Sequence, residues 1–139
     1  MAPWPISTAF PLTLLASIAL ILALDAAGAW LTRANPATYR RLWPVQFALY
    51  VVIGFVAMLA LLQLRWVELV GALTGLAEAT AGWAITWRIG PGRVPNSNPV
   101  SIAVVVLSMT AFGFGFAIAG ALIFNAVAGV MLRSHAGQP

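Results

Sequence analysis

Residues 44–87 read PVQFALYVVIGFVAMLALLQLRWVELVGALTGLAEATAGWAITW, two apolar runs parted only by Gln63-Leu64-Arg65. The first run, from Pro44 to Leu64, carries no charged residue at all. At about 1.5 Å per residue, each run reaches across a hydrocarbon core of about 30 Å as a helix. A connection as short as Gln63-Leu64-Arg65 leaves one arrangement open to them, a tight antiparallel hairpin. Pro44 suits the first helical position, where a missing amide donor costs nothing.

The same pattern extends outward in both directions. The chain has 139 residues, 62% hydrophobic and 7% charged, with a mean hydropathy of +0.96. A soluble domain is nearer half apolar and a quarter charged, so that class is excluded. The expected fold is an all-α integral membrane protein, one transmembrane domain of four helices over about 10–31, 44–64, 66–87 and 99–132. The first run resembles a signal peptide in its Ala27-Gly28-Ala29 segment, but no base precedes Arg33 and its apolar stretch is too long, so it reads as a retained helix. Pro3, Pro5 and Pro11 lead into it, with Trp4 as an interfacial anchor. Ile89 to Asn98 is the one sustained breaker-rich loop, and Asn98-Pro99 reads as an N-cap followed by proline at the first helical position. The last run is longer than the bilayer requires, and the tail from Arg133 to Pro139 is polar.

All seven basic residues are arginines, set against three acids. They sit singly near helix ends rather than on a clustered basic face, so no nucleic-acid partner is expected. Arg33, Arg40, Arg41, Arg88 and Arg93 fall on one side of the four-helix arrangement and Arg65 and Arg133 on the other. The positive-inside rule then places loops 32–43 and 88–98 in the cytoplasm and both termini outside. Five of the six tryptophans lie near expected span ends, as interfacial rings do. With no cysteine, disulfide and thiolate chemistry are absent.

Asp25-Ala26-Ala27-Gly28-Ala29-Trp30 and Glu78-Ala79-Thr80-Ala81-Gly82-Trp83 both set a carboxylate five residues before a tryptophan. Each is followed by arginine, a Pro-containing loop and Pro-Val at the next helix (Pro44-Val45, Pro99-Val100). The pattern fits two parallel two-helix hairpin repeats.

Asp25 and Glu78 are the most informative residues. Each lies about 12–15 Å along its helix from the basic end, too deep for a short side chain to reach water. A carboxylate there costs several kcal/mol unless it is paired, hydrogen-bonded, hydrated or protonated. Two acids facing each other cannot both ionise cheaply, which is the physical basis of a proton- or cation-binding site. The plainer readings are a protonated Glu78 acting as interhelical glue and an Asp25 paired with Arg33 or Arg88. In the third run Gly71, Gly75, Glu78 and Gly82 recur at spacings of four, three and four, so one face carries three glycines and the carboxylate. Small residues there favour close helix packing and turn Glu78 toward protein. Gly113, Ala117 and Gly120 form a similar face on the last run, where Asn125 reads as hydrogen-bond glue. Glu68 reads as an interfacial ion pair with Arg65, and Phe112 to Phe116 as packing. His135 stands alone in the tail and indicates no metal or haem site.

No nucleophile–base pairing, phosphate-cradling glycine motif or metal-ligand spacing appears, so neither an enzyme nor a cofactor is expected. Over residues 20–50, Asp25, Gly28, Arg33 and Arg40-Arg41-Leu42-Trp43-Pro44 resemble the small multidrug resistance transporters, four-helix proteins with one carboxylate in the first helix. That resemblance implies a homodimer in which Asp25 alternately binds protons and a cationic substrate. The series departs from that family in having aspartate where glutamate is usual, in Glu78, and in the long Gly/Pro loop before the last run. The expected function is a proton- or cation-coupled transporter or channel working through Asp25 and Glu78, as a homo-oligomer. The alternative is an accessory or assembly subunit whose glycine faces dock on a larger membrane complex.

Overall fold

The computed structural model describes residues 5–90 and 98–136, all helical apart from short turns, with no strand among the described residues. Helix α1 spans Ile6–Thr32 and α2 spans Pro36–Tyr39. A 3₁₀ turn, Arg40–Leu42, joins α2 to α3, Trp43–Leu61. Helix α4 covers Leu64–Ala77 and passes through a π-helical turn, Glu78–Gly82, into α5, Trp83–Ile89. Helix α6 runs over Pro99–Ala136. Three helical stretches are long and apolar enough to cross a membrane: Ile6–Thr32, Ala37–Leu61 and Pro99–Ser134. The breaker-rich loop falls mainly on residues 91–97 and the Trp4 anchor on 1–4, outside the described residues.

The expected loop over 32–43 is mostly helix. Asn35 caps it, its Oδ1 accepting from the Ala37 N–H at 3.1 Å, and α2 follows at once. Asn98 does the same for α6, accepting from the Ser101 N–H at 2.8 Å. Pro44 therefore lies inside a continuous helical path rather than opening it. Its ring and missing donor conflict with an α-helical carbonyl four residues earlier, and the over-wound 3₁₀ turn from Arg40 sits at that place. The hairpin turn is at Leu62-Gln63 rather than at Gln63 to Arg65. Leu62 adopts the left-handed conformation, φ 55°, with its N–H donated to the Met58 carbonyl at 2.9 Å. The side-chain carbonyl of Gln63 then accepts from Arg65 Nε and Trp66 Nε1, and Arg65 lies over the Trp66 ring rather than pairing with Glu68.

Side-chain contacts fix how the helices run. Phe10 meets Trp66 at 5.1 Å between ring centroids and Asp25 meets Gly82, so α1 runs in the same direction as the α4–α5 rod. Phe47 stacks on Phe116 at 4.8 Å and Phe55 meets Phe124 at 5.4 Å, so α3 runs alongside α6 in the same direction. Beyond Phe124, α6 continues for about three turns, with Val130, Met131 and Leu132 exposed. The expected polar tail is helical through Ala136.

Close crossings by small residues hold the bundle. A Cβ added at Gly71 or Gly75 would meet the Gly113 or Met109 carbonyl of α6 at 2.5 Å. Gly113 lies against Gly71, Gly54 against Ala117, and Gly120 against the Val51 carbonyl and Phe55 amide of α3. Two expectations change. Gly82 does not face α6 with the other glycines but faces Asp25 on α1. Asn125 is exposed on the outer face of α6, so it is not glue between helices of this chain.

Gly75→Leu should separate α4 from α6, costing at least the 1–3 kcal/mol typical of overpacking, because the obstructing atoms are backbone. Gly115→Ala, with nothing within 4 Å of the added carbon, should leave the melting temperature in detergent unchanged or slightly higher. Equal behaviour of the two variants in thermal unfolding would contradict the crossing.

Candidate functional site

The polar residues of the central bundle converge on one amide. Gln46 of α3 donates through Nε2 to Asp25 Oδ1 of α1 at 2.8 Å and to Glu78 Oε1 at 2.9 Å. An amide nitrogen carries two donors, so both are used, one on each carboxyl. Tyr50, one turn further along α3, donates its hydroxyl to Glu78 Oε2 at 2.6 Å. Tyr39 of α2 reaches Asp25 Oδ1 at 3.4 Å. Asp25 is 2% exposed and Glu78 5%, while Gln46 and Tyr50 are also buried.

Sequence reasoning identified the two carboxyls, and the structure brings them together. Neither has the arginine partner considered for Asp25. Arg33 instead lies over the Trp30 ring, 4.2 Å from its centroid. Among the described side chains, no cation pairs with Asp25 or Glu78. Nor do three or more His, Cys, Asp or Glu residues gather there as a metal site. Gln46, Tyr50 and Tyr39 were not anticipated. The signal for the first two was present: they are the hydrogen-bonding side chains inside the apolar run from Pro44 to Leu62, and they are four apart, on one helix face.

Local backbone geometry supports this arrangement. The π-turn begins at Glu78, and the Trp83 N–H reaches back to the Glu78 carbonyl. Such turns insert extra backbone into a helix and are frequent at functional sites. This one rotates the rod so that Gly71 and Gly75 pack on α6 while Glu78 and Gly82 turn toward α3 and α1. Gly82 is where the Asp25 carboxyl enters, since an added Cβ would overlap Asp25 Oδ2. Gly28 is covered by Leu42 from the 3₁₀ turn, which brings that turn against α1 beside the site.

The chain matches no protein-family model, no curated protein and no solved structure. The partial likeness over residues 20–50 therefore assigns no family.

Gly82→Ala should push the Asp25 carboxyl out of place and cost about 1–3 kcal/mol of stability in detergent. Combined with Asp25→Ala, it should cost much less than the two single losses added together, as contacting residues do. Strict additivity in a double-mutant cycle would show that Gly82 and Asp25 do not share this contact.

Proposed function

We propose that this chain is a four-span membrane protein in which Asp25, Gln46 and Glu78 form a proton-exchanging site, the coupling site of a small proton-driven transporter. One observation carries the reading: a single neutral amide lies between two buried carboxyls that have no cationic partner among the described side chains. With both ionised, two negative charges would face each other across a neutral group in a poorly polarisable interior, which repulsion and desolvation oppose. One proton shared by the pair removes most of that cost, and the pair then titrates as a unit. A metal cation fits less well. The Gln46 amide occupies the bridging position, and Gln46 and Tyr50 already cover both Glu78 oxygens, whereas hard cations need six or more free oxygen ligands.

The fourth span in this reading is the rod from Leu64 to Ile89, 26 residues long. That length is about 39 Å at α-helical rise, enough for the hydrocarbon core. Its charges lie near the two ends, except for Glu78, which turns inward. The arginine asymmetry then puts the Arg33 end of the bundle in the cytoplasm. The accessory-subunit alternative calls for glycine faces pressed against a foreign chain. Gly71, Gly75, Gly113 and Gly120 are instead taken up by contacts within this one.

Single cysteines at Ala34 and Ser134, introduced into a chain that has none, should react with an impermeant reagent from opposite sides of the membrane. Reaction from the same side would mean that Leu64–Ile89 does not cross. The proton site is tested by proton release and uptake of purified protein between about pH 5 and 9, where buried acids titrate. Wild type should exchange one proton more than the Asp25→Asn, Glu78→Gln double variant. Coincident curves would eliminate the site.

A further inference from the structure

Buried polar groups are unevenly spread along the bundle. From the carboxyl pair toward the Arg33 end come Thr32 and Thr86, both buried, and the half-buried Tyr39. The Tyr39 hydroxyl lies between Asp25 and the Thr86 side chain. In the opposite direction the interior is apolar: Ile53, Ala57 and Leu61 from α3, Val67 and Val70 from α4, Ala117 and Ala121 from α6. The α1 hydroxyls in that half, Thr13 and Ser17, are bonded to carbonyls of their own helix.

Thr74 marks the boundary between these halves. It lies one turn before Glu78 on the same buried face of the rod, is 0% exposed, and its hydroxyl has no hydrogen-bond partner. Thr13, Ser17, Thr32, Thr80 and Thr110 all donate to the carbonyl four residues earlier. Thr74 does not take that option, although an unpaired buried hydroxyl costs about 1–3 kcal/mol. Past it, only Val70 and Val67 continue the face, over about 10 Å of helix.

Building on the proton-site reading, we propose that protons enter and leave this site only from the Arg33 side. Tyr39 is the positioning group at the entrance, and Thr74 is the blind inner end. A proton moves along contiguous hydrogen-bonding groups. The titratable groups along this route are Tyr39, Asp25, Glu78 and Tyr50, joined through Gln46. Charge cannot cross the apolar half without several kcal/mol of desolvation. The resting chain is therefore no channel, and release on the far side requires Ile53, Val67 and Val70 to part, as in alternating access.

Because the chain contains no cysteine, the proposal can be read directly from single-cysteine variants in right-side-out and inverted vesicles. With an impermeant cationic thiol reagent, Tyr39→Cys should react from the Arg33 side only, and Val67→Cys and Val70→Cys from neither side. All three should react after unfolding in detergent. Reaction of Val67→Cys or Val70→Cys from the far side at a rate near that of Tyr39→Cys would overturn one-sided entry. So would a Tyr39→Cys that stays silent from both sides. Tyr39→Phe should slow proton exchange about tenfold, the order of one lost hydrogen bond, while leaving the number of protons exchanged unchanged. An unchanged rate would remove Tyr39 from the route. Titration of purified protein is indifferent to sidedness. Loss of titration therefore refutes the proton site itself, whereas titration retained with two-sided labelling refutes only the entry route.

Discussion

A carboxyl group held among apolar helices must be given hydrogen-bond donors by its neighbours, and in this bundle one amide serves two of them. The Gln46 bridge ties α1, α3 and the α4–α5 rod together at the level of Asp25 and Glu78. The two N–H groups of one amide lie close together, so the two carboxyls have to approach the same point from different helices. That requirement constrains the rest of the packing. Asp25 needs a place where α1 comes against the rod without a side chain between them, and Gly82 supplies it. Tyr50 needs room beside the crossing of α4 and α6, and Gly113 supplies that, because an added Cβ would stand 3.0 Å from the tyrosine ring.

Two irregular helical turns flank this point. The π-turn from Glu78 loosens one helix and the 3₁₀ turn from Arg40 tightens another. The tightened turn accommodates Pro44 and carries Leu42 onto Gly28, and Tyr39 just before it reaches Asp25. The loosened turn redirects Glu78 and Gly82 away from α6. Regular α-helices through these residues would leave the glycines on one face, as their spacing alone suggests, and would aim the carboxyl at α6. The proposed proton site thus depends on departures from ideal geometry as much as on residue identity, and such departures persist only where surrounding packing holds them.

Much of the bundle was legible because hydropathy is a local property that adds along the chain. A run such as Pro44 to Leu64 forms a buried or lipid-facing helix wherever it is placed, since unpaired backbone groups are too costly in an apolar medium. Asp25 and Glu78 stood out for a similar reason: the cost of a carboxyl at that depth does not depend on which neighbour meets it. Helix limits were less legible. Asn35-Pro36 and Asn98-Pro99 carry the same opening signature, yet Pro44 competes with Pro36 as a start. Only the 3₁₀ turn, which tolerates proline within the helical path, resolves the competition.

The partners of the carboxyls were decided by tertiary structure alone. Which side chain meets Asp25 depends on how far α1 slides and rotates against α3 and the rod, and rotation by one residue moves a side chain by about 100°. Glycine spacing likewise specified that helices approach closely but not which helices, because a small-residue face fits any surface of matching shape. The amino-acid sequence by itself determined the helices, their apolar character and the two costly carboxyls, all properties of single segments. The joining of those carboxyls through Gln46, the roles of Tyr39 and Tyr50, and the division of the glycines between α6 and Asp25 came only with the fold, because each is a relation between segments whose mutual rotation no single segment encodes.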